Sequence, residues 1–359
     1  MKIFMLIKWL HNSGAPKMFM WLANVLANQE HEVMVCTYQN QYAGNLSPSI
    51  KHIDYTNEQL GFCGKIKRIR QIIRDFDADV SISFLLDANV YNTFACYGLR
   101  TKSVICERND PFKPGYYKLK FWKPWFRLSD GAVFQLPKVA EYYSNIKGHT
   151  AVIPNPIIDK DNIDCLPIER RKKRIVTHGR LDIEQKRHDI LIKAFAMFHK
   201  EFPDFTLSIY GKDNDKTRKN ENALKSLIKE LGVESSVRLE GESLMPKESI
   251  KDAMLWVLTS DFEGIPNSLI EAMSMGLPCI STDCSPGGAR FLIHNGVNGY
   301  LVRKGDAFAL YEKMRFLIEN PQEAVRIGKE AMNIKHVYNE EHIISMWITY
   351  LKKMCGREN

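Results

Sequence analysis

The sequence predicts an α/β protein of two doubly wound domains, each a parallel sheet covered by helices. Short apolar runs alternate with helical patterns along the whole chain, and this alternation breaks once, near residue 155. The length of 359 residues exceeds what one ordinary hydrophobic core contains, which also favours two domains. A hydrophobic content of 45% and a charged content of 26% are typical of a globular chain rather than a disordered one.

The first predicted domain spans residues 1–155. Its apolar runs of strand length are Lys2–Ile7, Val33–Thr37, Val80–Phe84, Val104–Cys106 and Gly131–Gln135. Pro16 can open a helix after the first run. The apolar residues of this helix share one face: Phe19, Met20, Leu22, Val25 and Leu26. Ile153-Pro154-Asn155-Pro156 then interrupts the pattern, and a polar stretch runs to Lys173. We therefore place the boundary after residue 155.

The second predicted domain spans residues 156–339. Its predicted strands are Arg174–Thr177, Thr206–Tyr210, Val237–Leu239, Leu255–Leu258 and Cys279–Ser281, and its clearest helices are His188–Phe198 and Ala223–Leu231. The last helical pattern, His342–Met354 within residues 340–359, is expected to return to the first domain. Two such domains would face each other across an interdomain cleft beyond the carboxyl ends of their strands, where ligands of these folds bind.

Composition limits where the protein works. No run reaches the roughly 18 apolar residues of a membrane-spanning helix, and we interpret the apolar start of the chain as a strand rather than a signal peptide. The eight cysteines form no C-x-x-C pair, which favours reduced thiols in a cytoplasmic protein.

The positive charge is concentrated in the first domain. The chain has a formal charge of +8, and residues 1–155 hold 19 Lys/Arg against 12 Asp/Glu. Residues 111–128 contain no acid and interleave cations with aromatics: Lys113, Tyr116, Tyr117, Lys118, Lys120, Phe121, Trp122, Lys123, Trp125, Phe126 and Arg127. This pattern favours an anionic membrane surface, the alternative being core aromatics beside solvated lysines. A second basic cluster, residues 65–74, has isoleucines at helical spacing and is expected to pack on its own sheet. No nucleic-acid-binding module is present, so no nucleic acid partner is expected.

The most informative segment is Glu263-Gly-Ile-Pro-Asn-Ser-Leu-Ile-Glu271. It lies between two apolar strands, so it forms a strand–loop–helix turn in which Pro266 can begin the helix. The N–H groups of Asn267, Ser268 and Leu269 would then be free to bind an anion, as at other helix starts. Glu263 precedes the helix and Glu271 lies more than a turn into it, so the two acids can meet different parts of one ligand.

A second segment runs from Gly179-Arg180 to Lys186 and His188-Asp189, between a strand and a helix. Its two cations flank a loop that opens towards the carboxyl ends of the strands. Arg180 and Lys186 would there neutralise the charge that builds on a departing diphosphate.

Together these segments resemble the retaining glycosyltransferases of family 4, which have the GT-B fold. Glu263 and Glu271 match the E-x7-E motif, and Gly179, Arg180 and Lys186 match the glycine-arginine…lysine loop. Further matches are Pro154–Pro156, Thr282-Asp-Cys-Ser-Pro-Gly-Gly288 and Asn295-Gly-Val-Asn-Gly299. The resemblance covers nearly the whole chain and is strongest from about Ile153 to Val302.

The resemblance implies roles by position. Arg180 and Lys186, with Gly179 and the N–H groups of Asn267, Ser268 and Leu269, would hold the diphosphate. Glu271 would bind the ribose and Glu263 the donor sugar, and Gly14 would let the backbone approach the donor. Enzymes similar to this chain keep the anomeric configuration and need no metal or other cofactor.

Three positions depart from the family pattern. The family often has Gly-Gly-Ala-Glu after the first strand, where this chain has Ser13-Gly14-Ala15-Pro16. A family histidine that contacts the donor sugar is absent, so Glu107 or Arg108 is the candidate sugar contact, the alternative for Arg108 being an ion pair with Glu107 or Asp110. Phe291 stands where an acid is common.

The sequence therefore predicts transfer of a hexose or N-acetylhexosamine from a nucleotide diphosphate sugar, with UDP as the expected nucleotide. The acceptor is expected to be a lipid-linked glycan at the cytoplasmic face of a membrane, in cell-surface polysaccharide synthesis. Alternatives are a soluble acceptor and a non-catalytic partner that docks another transferase; the missing G-x-G-x-x-G disfavours an NAD enzyme. Asp213-Asn-Asp215 resembles a D-x-D metal motif, but its basic surroundings favour a turn, and no metal site is expected.

Overall fold

A computed structural model of the chain describes residues 1–11, 14–39, 45–113, 115–158, 163–243 and 246–357. The chain divides into two compact units. Unit 1 consists of Met1–Asn155 together with Glu340–Asn359, and unit 2 consists of Pro156–Asn339. Each unit contains its own sheet and its own helices.

The part of unit 1 before residue 155 alternates strands and helices. Its elements are β1 (Lys2–Leu6), α1 (Gly14–Asn28), β2 (Glu32–Thr37), β3 (Lys51–Asp54), α2 (Phe62–Phe76), β4 (Val80–Phe84), α3 (Leu86–Cys96), β5 (Lys102–Cys106), α4 (Tyr117–Trp122), β6 (Gly131–Phe134), α5 (Pro137–Tyr142) and β7 (His149–Val152). Short 3-10 helices lie at Thr56–Glu58 and Lys123–Leu128.

Unit 2 repeats this alternation. Its elements are β8 (Lys172–His178), α6 (His188–Glu201), β9 (Thr206–Tyr210), α7 (Lys219–Glu230), β10 (Val237–Gly241), α8 (Pro246–Ile250), β11 (Ala253–Leu258), α9 (Asn267–Ser274), β12 (Cys279–Thr282), α10 (Gly288–Leu292), β13 (Tyr300–Val302), α11 (Ala307–Glu319), α12 (Pro321–Ala331) and α13 (Ile334–Val337). A 3-10 helix lies at Ile168–Arg170.

Both sheets are parallel and doubly wound. The strand order is β3-β2-β1-β4-β5-β6-β7 in unit 1 and β10-β9-β8-β11-β12-β13 in unit 2. In each sheet the order reverses beside the first strand, between β1 and β4 and between β8 and β11. This reversal opens a crevice at the carboxyl ends of the two strands, where ligands bind in such folds. The predicted fold class, two Rossmann-like α/β domains, is confirmed.

The hydrophobic cores explain why these runs become strands. β1, β4 and β11 are almost fully buried, as expected for parallel strands covered on both faces. α2 buries Ile69, Ile72, Ile73 and Phe76 against the first sheet, as the isoleucine spacing predicts.

Two edge strands of unit 1 were not predicted. β3 has the sequence KHID and is mostly exposed, and β7 has the sequence HTAV and is at most half-buried. Edge strands face solvent on more sides and need fewer apolar residues, so they leave little hydrophobic signal in the sequence.

The final helix of unit 1 is α14 (Glu340–Met354). The Tyr350 hydroxyl donates to the carbonyl of His149 at 2.9 Å, and the Trp21 indole N–H donates to the Glu340 carboxylate at 2.9 Å. Arg357, just beyond α14, pairs with Asp79 at 2.9 Å. These contacts tie the end of the described chain to the elements of residues 1–155.

Candidate functional site

The two motif loops of unit 2 follow neighbouring strands. Residues 179–187 connect β8 to α6, and residues 259–266 connect β11 to α9. β8 and β11 pair in parallel at the point where the strand order reverses, so both loops lie at the same edge of the sheet. The Asp261 N–H donates to the carbonyl of Gln185 at 2.8 Å, which joins the two loops directly.

Lys186 and Glu263 form an ion pair between these loops. The Lys186 ammonium donates to Oε1 of Glu263, and the two side chains are only 13% and 11% exposed. The Ser260 hydroxyl donates to the same oxygen at 2.8 Å. No described residue hydrogen-bonds the second oxygen, Oε2. The pair therefore presents one cation and one carboxylate oxygen side by side.

Arg180 lies in the same loop but is far more exposed. Its side chain is 48% exposed, and Nη2 donates to Oε1 of Gln185 at 2.7 Å. The amide of Gln185 in turn donates to the carbonyl of Phe262 at 3.2 Å. Gln185 thus links the guanidinium to the loop that carries Glu263. The sequence pattern predicts a role for neither Gln185 nor Ser260.

Glycines let the loops approach one another closely. A Cβ on Gly288 would lie 1.7 Å from the carbonyl oxygen of Gly264, so only glycine fits where α10 begins against the Glu263 loop. A Cβ on Gly179 would lie 3.2 Å from Cδ of Lys186, tighter than an ordinary contact. The Gly179 position therefore favours glycine beside the lysine stem.

The start of α9 differs in part from the expectation. Pro266 precedes the helix, but the Leu269 N–H donates to the Pro266 carbonyl at 3.1 Å. This i to i−3 bond tightens the first turn, and the Leu269 side chain is fully buried, so the expected free Leu269 N–H is wrong. Among the described residues, none accepts a hydrogen bond from the Ser268 N–H. Asn267 is half-buried beside it, and Glu271 lies half-buried one turn further along α9.

A buried histidine anchors the Arg180 loop to α6. His188 is the first residue of α6 and is almost fully buried, and its ring Nε2 lies 3.0 Å from the carbonyl oxygen of Arg180. Burial lowers the pKa of His188 to about 4. The imidazole is therefore neutral near pH 7, and Nε2–H donates to this carbonyl.

The candidates in unit 1 lie at the ends of two of its strands. Gly14 is the first residue of α1 and has φ of +45°, whereas the preceding Ser13 lies outside the described residues. Glu107 follows β5 and is buried, and its Oε1 accepts the N–H groups of Arg108 at 3.1 Å and Asn109 at 3.0 Å. Burial raises the pKa of Glu107 to about 7.

Arg108 is held by neutral groups. Its Cζ lies 4.3 Å from the ring centroid of Phe84, and its Nη1 donates to Asn155 at 3.3 Å. Within the described ranges, no ion pair joins Arg108 to Glu107 or Asp110. The ion-pair alternative for Arg108 is therefore wrong in this structure, and its role as a sugar contact stays a prediction.

The D-x-D segment forms a capping turn. Asp213 accepts the N–H groups of Asp215 at 2.9 Å and Glu221 at 3.0 Å, which ties the turn to the first residues of α7. In the part of the chain that the structure describes, no group of three His, Cys, Asp or Glu residues is arranged to hold a metal ion. Over those same residues, none of the α-helices has the length and hydropathy needed to cross a bilayer.

Residues 159–334, which contain both motif loops, match the family described as glycosyl transferases group 1. The chain is 30% identical to an uncharacterized glycosyltransferase of Methanocaldococcus jannaschii, over 63% of this chain, and it spans 60% of that protein's length. It is 25% identical, over 99% of both chains, to a Campylobacter jejuni enzyme. That enzyme is the GalNAc-α-(1→4)-GalNAc-α-(1→3)-diNAcBac-PP-undecaprenol α-1,4-N-acetyl-D-galactosaminyltransferase.

A solved structure shares the fold. HepE of Anabaena, in complex with UDP and glucose, aligns with a TM-score of 0.81 at 20% identity, over 98% of this chain and 99% of HepE. At this identity the likeness establishes the two-domain fold alone.

Proposed function

We infer a specific reaction from the premise that this chain is a glycosyltransferase enzyme, of the superfamily whose group 1 domain matches residues 159–334. The reaction transfers a hexose or an N-acetylhexosamine from a UDP-sugar to a lipid-linked glycan, with retention of the anomeric configuration and without a metal ion. The observation that carries this proposal is the meeting of Arg180, Lys186 and Glu263 where the strand order of unit 2 reverses.

The cations of the site suit a diphosphate leaving group. When the bond between the anomeric carbon and the phosphate oxygen breaks, negative charge grows on the diphosphate. Arg180 and Lys186 offer positive charge at one edge of the sheet, where a metal-dependent enzyme would place carboxylates around Mn²⁺ or Mg²⁺. Lys186 is mostly shielded from water, so its attraction for the leaving group is stronger than at an open surface.

The two glutamates would bind the sugar and the ribose of the donor. Oε1 of Glu263 holds Lys186 and Ser260, which leaves Oε2 to accept a hydroxyl of the donor sugar. Glu271, one turn into α9, would accept the ribose hydroxyls. Attack occurs on the face from which the diphosphate leaves. The acceptor oxygen forms the new bond to the anomeric carbon, and its proton passes to the departing phosphate oxygen.

Two observations support a lipid-linked acceptor and UDP. The Campylobacter relative, aligned over 99% of both chains, is named for an undecaprenyl diphosphate-linked acceptor. The Anabaena structure of the same fold holds UDP and glucose. The surplus of Lys and Arg in residues 1–155, including Lys113, Lys118, Lys120, Lys123 and Arg127, would hold the enzyme at the anionic cytoplasmic face of a membrane.

The test is a thermal-shift screen of nucleotide sugars, followed by transfer assays with the best donor. We expect one UDP-sugar to raise Tm, because a ligand that binds only the folded state stabilises it. That donor should glycosylate a polyprenyl diphosphate-linked glycan in vesicles. If the free glycan reacts equally well and the protein does not sediment with vesicles, the acceptor is soluble. If no nucleotide sugar shifts Tm or is consumed, the non-catalytic alternative replaces the proposal.

A further inference from the structure

Aromatic side chains from four elements of unit 1 form one continuous surface. We call Phe62, Phe94, Phe121, Trp122 and Trp125 the aromatic ledge. Trp122 lies at its centre, with ring centroids 5.3 Å from Phe62, 6.1 Å from Phe94 and 4.8 Å from Phe121, and Phe94 contacts Trp125 at 5.7 Å. The ledge therefore joins the first residue of α2 to α3, α4 and the 3-10 helix at Lys123–Leu128.

The ledge is open to solvent. Phe121 is 65% exposed, Phe62 and Trp125 are more than 40% exposed, and the adjacent Tyr117 is 74% exposed. None of the five ledge rings is among the buried hydrophobic residues of the described chain. A contiguous exposed apolar surface of this kind marks a site of interaction.

Cations border the ledge. Lys118, Lys120, Lys123 and Arg127 lie on the same short helices, and Lys65 lies one turn into α2 after Phe62. Lys120 stands 5.8 Å from the Tyr117 ring centroid, and Lys65 stands 5.8 Å from that of Tyr91. Lys118 is paired with Asp87, and residues 111–128 contain no acid. Exposed rings that share their helices with several cations match the boundary between anionic headgroups and acyl chains.

We propose that the aromatic ledge inserts into the interface of an anionic bilayer, and that the first turn of α2 takes part in this contact through Phe62 and Lys65. The proposal rests on the proposed function and names the surface through which unit 1 reaches a lipid-linked acceptor. It assigns Phe62 and Lys65 to lipid, although the sequence places their helix against its own sheet. Different parts of α2 serve the two contacts. Ile69, Ile72 and Ile73 are buried against the sheet, whereas Phe62 in the first turn is exposed.

The bilayer explains the combination of features better than a protein partner. An acidic protein would satisfy the cations, but it gives no reason for five exposed or half-exposed rings among them. The cations supply a salt-sensitive attraction and the rings a salt-resistant one. Because the two contributions come from different residues, they can be removed separately.

The experiment measures sedimentation with vesicles of phosphatidylglycerol and phosphatidylcholine, at low and high salt. The test variant is Tyr117→Ser with Phe121→Ser, since Phe121 is the most exposed ring of the ledge and the adjacent Tyr117 is more exposed still, so both should contribute little to folding. The matched control is Phe308→Ser, a phenylalanine of unit 2 that is 62% exposed. We expect the double variant to lose about tenfold or more of the partitioning that survives high salt. The Phe308→Ser variant should match the wild type.

A probe on Cys63 reports insertion directly. Cys63 is exposed and adjoins Phe62, so a polarity-sensitive dye on its thiol should shift to the blue when vesicles are added. Quenchers on the acyl chains should then reduce its emission. The same labelling of the Cys63→Ser variant gives the background from other thiols.

The outcomes separate this proposal from the proposed function. The ledge proposal is wrong if the dye on Cys63 does not respond while the protein sediments with vesicles. It is also wrong if the double variant and the wild type partition equally at high salt. A double variant that instead changes the oligomeric state in solution would identify the ledge as a contact between copies of the chain. Turnover on a water-soluble acceptor tests the transfer reaction independently, and it should be unchanged in the double variant.

Discussion

Lys186 and Arg180 carry the same charge, but they lie in different surroundings. Removing each side chain should therefore affect folding differently. Lys186 is largely buried and compensates the charge of Glu263, so it contributes to folding as well as to the site. Arg180 is about half exposed: its Nη2 donates to the amide oxygen of Gln185, and it forms only a loose, exposed ion pair with Asp182 at 3.7 Å. Arg180 is therefore the cleaner probe of diphosphate binding.

We predict that Arg180→Ala lowers turnover strongly while Tm stays close to that of the wild type. One such group can contribute about 3 kcal/mol of transition-state stabilisation, which is on the order of a hundredfold in rate. Lys186→Ala should lower turnover as much and should also lower Tm, because Glu263 is left buried without a cation. Steady-state kinetics with a UDP-sugar and thermal unfolding measure both effects.

The control for these variants is Lys173→Ala. Lys173 lies near the amino end of β8 and forms an exposed ion pair with Asp204 at 3.0 Å, at the opposite edge of the sheet. Its loss should change neither turnover nor Tm measurably, because exposed pairs contribute little. A near-normal kcat/KM in either Arg180→Ala or Lys186→Ala would show that the cation has been misassigned.

The two glutamates should respond differently to neutralisation. Glu271→Gln is expected to weaken UDP binding, because a ribose contact is present in the ground and transition states alike. Glu263→Gln is expected to lower kcat mainly, because its proposed contact is with the reacting sugar and because it hydrogen-bonds Lys186. Calorimetric titration with UDP distinguishes the two effects. The control variant is Glu248→Gln, which neutralises a partly exposed glutamate that pairs with Lys251. Equal losses of UDP affinity in both variants would mean that the roles are confused.

The spacing of the sequence was enough to single out Arg180, Lys186, Glu263 and Glu271, since each stands in a recognisable strand–loop–helix pattern. Gln185 and Ser260 were missed for a physical reason. Gln185 acts on Phe262, 77 residues away, and Ser260 is visible only once Glu263 is seen to fold back towards β11. The position of Gln185 depends on the pairing of β8 with β11 and that of Ser260 on the turn of its own loop, and residue type alone predicts neither.

Among the secondary-structure elements, α6 determines where the Arg180 loop lies. Its first residue, His188, is buried and binds the Arg180 carbonyl, so the charge state of the imidazole is coupled to the loop. The buried ring disfavours the charged form, which lowers the pKa of His188 from 6.5 to about 4. In the unfolded chain the histidine takes up a proton near pH 6.5, before the folded protein does. Stability is therefore lost as the pH falls from about 6.5 to about 4.

We predict that His188→Gln weakens this acid sensitivity, because glutamine donates a hydrogen bond and does not titrate. The histidine accounts for on the order of 3 kcal/mol of the free energy of unfolding across that window. Urea unfolding at a series of pH values measures it. The variant should have a shallower loss of stability towards acid than the wild type. Parallel profiles for the two proteins would contradict the assignment of a buried neutral imidazole.

The elements also show where sequence patterns are informative. Buried central strands such as β4 and β11 were predicted because their apolar runs are continuous. The exposed edge strands β3 and β7 were missed because their residues face solvent. The first turn of α9 differed because Leu269 bonds to Pro266, a choice between two hydrogen-bond partners that residue type does not determine.

At the scale of the whole molecule, the proposed chemistry is divided between the two units. The residues proposed for diphosphate, ribose and sugar lie mainly in unit 2, whereas the aromatic ledge and the surplus of positive charge lie in unit 1. The fold class followed from the repeated strand–helix alternation of the sequence. The aromatic ledge did not follow, because Phe62, Phe94 and Trp122 are distant in the chain and meet only through tertiary packing.

We propose that cations of unit 2, and no metal ion, hold the nucleotide diphosphate. Calorimetric titration of the chain with UDP in excess EDTA tests it most directly. We predict that the wild type binds UDP with the same affinity in EDTA as in Mn²⁺, and that Arg180→Ala binds it at least about tenfold more weakly. Binding that appears only with Mn²⁺ would contradict the claim and return Asp213 and Asp215 to consideration as metal ligands, and wild-type affinity in Arg180→Ala would contradict it equally.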